Sequence, residues 1–174
     1  MKIMSDLQSI LIKVIVVCCA LVSVQHAVAS QASSDSLKPQ TVKILTVDDV
    51  KTLMTTGPRL VVMWSLECPA CFEELDSISA LLQKYPSLPI TLISTDDESS
   101  RREEVNEVYS ETAFKNLPRW VYASGQKLPL RHAIDKTWHG ELPRSFYIDK
   151  TGKKHGFSGL LTDKQLNHIV GLVK

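Results

Sequence analysis

Hydrophobic and polar positions divide the chain into alternating blocks with different periods. Leu60 to Trp64 (LVVMW) is uninterrupted and partly β-branched, and Pro89 to Thr95 (PITLIST) is a second run of the same kind. Such short apolar runs predict central strands covered on both faces. Between them, Pro69 to about Tyr85 has a helical period that places Cys71, Leu75, Ile78, Leu81, Leu82 and Tyr85 on one face. Pro69 suits a first helical position, where its missing N–H is no loss, and Pro86 stops the helix.

The flanking chain reads the same way. Val42, Ile44 and Leu45 predict a short strand, and Thr46 before Val47-Asp48-Asp49-Val50 a capped helix that ends near Gly57-Pro58. Asp96 to Ala113 is dense in charge, with Val105, Val108 and Ala113 among its few apolar positions, which predicts an exposed helix with a thin buried stripe. Trp120 to Ala123 is a third short strand, and Leu128 to Trp138 a helix with Leu130, Ala133, Ile134 and Trp138 inward. Ser145 to Ile148, the turn Asp149-Lys150-Thr151-Gly152, and Lys154 to Ser158 form a hairpin; Thr162 caps a last helix with Leu166, Ile169, Val170 and Val173 on its apolar face. The order is that of an α/β protein with a central mixed sheet flanked by helices.

The first residues follow another logic. Lys2 and Lys13 flank a polar start, Val14 to Val24 is a short apolar run, and Ala27-Val28-Ala29 puts small residues where a signal peptidase acts. Residues 1–29 are expected to be a cleaved secretory signal, since the run falls short of the roughly 20 residues that span a bilayer. An uncleaved N-terminal membrane anchor is the alternative. The Ser-rich stretch 30–40 reads as a flexible lead-in, leaving 41–174 as the folded domain. Hydrophobic content of 44% is that of a globular chain, and the net charge of +1 offers no field for nucleic acid.

Candidate chemistry centres on the cysteines. Cys18 and Cys19 lie inside the apolar signal run, so Cys68 and Cys71 alone remain after cleavage. A loop this short restricts the unfolded chain little, which argues against a purely structural crosslink. Cys68 falls where a helix begins, and unpaired N–H groups there stabilise a thiolate; Cys71, one turn in on the buried face, suits a resolving thiol. A chance pair or half of a zinc site is the other reading, but zinc takes about four ligands, and the remaining donors are the scattered His132, His139, His155 and His168. No cofactor is expected.

Four further residues frame the pair. Glu74 falls on the apolar face of the Pro69 helix, where desolvation raises a carboxyl pKa and fits it to exchange protons with a thiol; the alternative is a flank residue reaching water by its stem. Glu73 points the other way, toward Lys84. Trp64 and Glu67 are expected to line the approach to the dithiol. Glu67, adjacent to Cys68, opposes thiolate formation, and Pro69-Ala70 adds no cation, so both lean toward a reductant.

Trp64, Cys68-Pro69-Ala70-Cys71, Glu74, and Leu142-Pro143 followed by Ser145-Phe146-Tyr147-Ile148-Asp149 and Gly152 together resemble the thioredoxin superfamily. The likeness is to the exported TlpA/ResA-type thiol-disulfide reductases linked to cytochrome c maturation and copper-site assembly, and it covers Thr41 to Lys174. It implies a thioredoxin-like fold, a reversible Cys68–Cys71 disulfide, a buried Glu74 that tunes the thiols, and a cis Pro143 packed beside them. Leu142 would then offer its backbone N–H and C=O to an extended substrate. Thioredoxin itself has a buried aspartate six residues before the first cysteine; Val62 stands there, which leaves acid–base work to Glu74. Glu67 departs from the neutral, often aromatic residue usual in the family, and the charged Ser99 to Glu111 segment has no assigned role. The expected protein is a periplasmic or otherwise extracytoplasmic, monomeric reductase of exported disulfide proteins, kept reduced by a membrane thiol donor. A disulfide oxidase or isomerase on the same fold, and a Cu(I) chaperone using the two sulfurs, are the alternatives.

Overall fold

The computed structural model describes residues 41–173; the targeting segment and lead-in expected over residues 1–40 lie outside them. Six strands form one sheet: β1 (Lys43–Leu45), β2 (Arg59–Trp64), β3 (Ile90–Asp97), β4 (Arg119–Tyr122), β5 (Arg144–Ile148) and β6 (Lys154–Ser158). Their order is β1-β4-β3-β2-β5-β6. The first four run parallel, and β5 and β6 are antiparallel to their neighbours, so the sheet is mixed as expected. β2, the most apolar strand, sits between β3 and β5, and five of its six residues are buried.

Strand periodicity sorts β2 between the two faces. Leu60, Val62 and Trp64 join one core with α2 (Pro69–Lys84), α3 (Glu98–Tyr109) and α5 (Asp163–Val173). Val61 and Met63 join the other with α1 (Val47–Leu53) and α4 (Lys127–Ile134). α2 starts directly after the turn that leaves β2, with Cys68 as its N-cap and Pro69 in its first turn. Of the residues predicted for its inner face, Cys71, Leu75, Ile78 and Leu82 are buried, and Leu81 and Tyr85 are half-buried.

Three expectations about elements change. Asp96 belongs to β3, not to the charged helix, and is buried. α3 ends at Tyr109, so Ala113 falls in the 3-10 turn after it, and the buried stripe is Val105 and Tyr109 rather than Val105, Val108 and Ala113, because Tyr109 reaches across to Trp64. α4 ends at Ile134, capped by Asp135, so Ala133 is exposed; Trp138 is still buried, but from the following loop, where its indole N–H donates to the Glu141 carbonyl at 2.8 Å. Among the described residues no helix is long and apolar enough to cross a membrane.

Candidate functional site

The site is built at the carboxyl end of β2. Ser65, Leu66 and Glu67 turn the chain from Trp64 into α2, and this turn is tied to the end of β3 by Asp96. One carboxylate oxygen of Asp96 accepts from the Ser65 hydroxyl at 2.8 Å, the other from the Leu66 N–H at 3.0 Å and the Ser94 hydroxyl at 2.7 Å. A buried carboxylate needs such donors, and here they fix the loop that presents Cys68. Sequence reasoning missed Asp96; the signal was there in Ser94-Thr95-Asp96, polar residues that continue the apolar run of β3.

Cys68 and Cys71 are joined by a disulfide, with 5.2 Å between their Cα atoms. The two sulfurs differ in access. Cys68 is partly exposed, while Cys71 is wholly buried on the inner face of α2. The Cys71 N–H donates to the Cys68 sulfur at 3.2 Å, one of the first-turn amides that would also stabilise a thiolate there.

Glu74 is 1% exposed and lies one turn beyond Cys71 on the same helical face. One of its oxygens accepts from the Leu161 N–H at 3.0 Å, in the segment that leads into α5. The other has no partner in good hydrogen-bond geometry among the described residues, although the Ser145 hydroxyl lies near the carboxyl. Burial raises the Glu74 pKa above the ordinary carboxylate range; the Leu161 amide and the nearby Ser145 hydroxyl pull it back only in part. Ser145 is wholly buried and pairs in register with Val62, so polar groups under the dithiol come from α2 and β5 and the β2 position is apolar.

Leu142 and Pro143 precede β5, and the bond between them is cis; a second cis bond, Gly57-Pro58, was not expected. Leu142 lines a groove beside Cys68 and Glu67. Trp64 does not line the approach. It is fully buried, edge-on to Phe72 and Tyr109, with its indole N–H donating to the Tyr109 hydroxyl at 2.9 Å, because the period of β2 turns it into the core under α2. Glu67 is exposed at the site's rim, and its carboxylate meets Arg101 of α3 at 3.3 Å. The charged helix thus supplies a cation that partly offsets the Glu67 charge beside Cys68. Glu104 holds the same guanidinium at 2.7 Å.

No protein-family model and no curated protein matches the chain. Solved structures do. The thioredoxin domain of a thiol-disulfide oxidoreductase from Bacteroides vulgatus matches with a TM-score of 0.54 and 17% identity, over 71% of this chain and 84% of that one. A secreted Mycobacterium tuberculosis disulfide oxidoreductase, described as homologous to E. coli DsbE, matches with a TM-score of 0.52 and 15% identity, over 69% and 84%. A thiol:disulfide interchange protein of the thioredoxin family from Chlorobium tepidum gives 0.51 and 18%, over 71% and 83%. The fold is therefore thioredoxin-like, as these residues had implied.

Proposed function

We propose that the protein is an exported thiol-disulfide oxidoreductase acting on disulfide-containing proteins, and that it works as a reductase. The asymmetry of the disulfide carries this reading: Cys68 is reachable at a helix start, and Cys71 is buried one turn from an acid with a raised pKa. In the reduced chain the Cys68 thiolate attacks one substrate sulfur, forming a mixed disulfide and expelling the other as a thiolate, which takes up a proton. Glu74 accepts the Cys71 proton, and the Cys71 thiolate attacks the Cys68 sulfur. The Cys68–Cys71 bond forms, the second substrate thiolate leaves with a proton, and two electrons have passed to the substrate. Leu142 beside Pro143 would hold the substrate backbone in strand fashion. An oxidising compartment requires a thiol donor at the membrane to return the pair to its dithiol form. The secreted oxidoreductase among the solved structures supports extracytoplasmic work, as does the targeting pattern of residues 1–29.

The Cys71→Ser variant, reduced and mixed with insulin, should accumulate a Cys68-linked adduct that dithiothreitol releases. Absence of an adduct, together with no insulin reduction by the wild type, would overturn the reading. A second reading, oxidase or isomerase, is favoured by Arg101, which offsets the Glu67 charge that argued for a reductant. A reduction potential near about −120 mV, that of a strong protein oxidant, would establish it.

A further inference from the structure

The groove beside Cys68 holds groups that disulfide exchange does not use. It encloses about 270 Å³ between Cys68 and Leu142, and its walls include Glu67, Tyr122, Lys127 and Arg131. A neighbouring hollow of about 220 Å³ shares Glu67, Tyr122 and Lys127 and reaches Asp96 and Arg101. Tyr122 lines both. It is 1% exposed, and its hydroxyl has no hydrogen-bond partner among the described residues. Buried hydroxyls are seldom left so. Burial also keeps this phenol protonated across the physiological range, so it is a standing donor.

The charges around that donor are unevenly paired. Glu67 is held by Arg101, the oxygens of Asp96 accept from Ser65, Ser94 and the Leu66 amide, and those of Asp97, which lines the second hollow, accept from Ser99, Ser124 and the Gly125 amide. Lys127 and Arg131 enter no ion pair among the described residues; Arg131 gives one N–H to the His139 carbonyl at 2.9 Å and keeps the rest of its fork. Two cations and a buried neutral donor without an acceptor are the complement of one carboxylate. We propose that the groove binds an aspartate or glutamate side chain two residues from the attacked cysteine in the substrate protein. The proposal rests on the oxidoreductase reading: a strand laid along Leu142 with its cysteine at Cys68 runs along this groove, and because residues two apart share one face of a strand, the side chain two positions from that cysteine meets its walls.

The test uses the reduced full chain and two disulfide peptides that differ only in Glu or Gln two residues from one cysteine, with second-order reduction rates from stopped flow. The wild type should reduce the Glu peptide about fivefold faster at low salt, and the preference should shrink as salt screens it. Lys127→Gln, on an exposed side chain that leaves the fold intact, should reduce the preference. Tyr122→Phe should reduce it without restoring it at any salt concentration, and Lys127→Gln with Arg131→Gln should bring the ratio of rates to about one. Equal wild-type rates on the two peptides, or a preference that survives in all three variants, would overturn the proposal while leaving the oxidoreductase reading intact. A wild type that reduces neither peptide nor insulin would bring down both.

Discussion

On the face of the sheet covered by α2, α3 and α5, Tyr109 is wholly buried and its hydroxyl is used twice, accepting from the Trp64 indole at 2.9 Å and donating to the Trp120 carbonyl at 3.0 Å. On the face covered by α1 and α4, Tyr122 is nearly as deeply buried and its hydroxyl meets no partner among the described residues. The two phenols come from one sequence alphabet and similar depth, yet one closes a network and the other leaves it open. Closed networks specify a single packing. Open ones at the wall of a groove are where a ligand group can complete the pairing. The two cysteines stand at the end of β2, between the two faces, with the buried Glu74 on the closed side and the Tyr122 hydroxyl on the open side.

The sharpest way to break this contrast is to remove each hydroxyl in turn. Tyr109→Phe strands the Trp64 N–H and the Trp120 carbonyl in the core and should cost about 1–3 kcal/mol in urea unfolding of the disulfide form. Tyr122→Phe removes a group that already lacks a partner and should stay within about 0.5 kcal/mol of the wild type or gain stability. Equal losses for the two would mean that the buried hydroxyls do the same structural work.

The second test concerns Glu74. Its pKa is raised in the folded chain and ordinary in the unfolded one, so the folded chain holds the proton more tightly. Its contribution to stability is therefore complete below the ordinary carboxylate range and is lost as pH rises through the raised value. Glu74→Gln stays neutral and can still accept from Leu161. Its melting temperature, taken relative to the wild type, should climb by a few degrees between about pH 4 and pH 7; parallel melting curves would contradict the shift.

The smallest effect belongs to the exposed rim. Arg101→Gln removes a cation near Cys68 and should lower the reduction potential; Glu67→Gln removes an anion and should raise it. Exposed pairs are worth at most about 1 kcal/mol, so each shift should stay within about 20 mV and fade in high salt. A larger shift would make α3 part of the redox machinery.

Much of this was readable in the chain. The period of Pro69 to Tyr85 put Cys71 and Glu74 on the buried face, and the apolar run at Leu60 placed the central strand; both depend on near neighbours, which sequence records directly. What escaped depends on distant ones. Trp64 was read as lining the approach because its nearness to Cys68 was visible and its partner Tyr109, 45 residues on, was not. Arg101 lies 34 residues beyond Glu67, and no pattern within the charged helix singled it out from its neighbours. Tyr122 looked like an ordinary strand residue. Nothing local distinguishes a buried hydroxyl that is paired from one that is not.

The bond from the Leu161 amide to Glu74 spans 87 residues. A chain made from its amino end has both cysteines and the whole of α2 available long before the residue that anchors the acid. The two thiols are present on a growing chain, but the Leu161 amide reaches Glu74 only when the last loop has docked, so a buried, anchored acid on the dithiol helix is a property of the finished domain. The arrangement separates having the two sulfurs from having them governed.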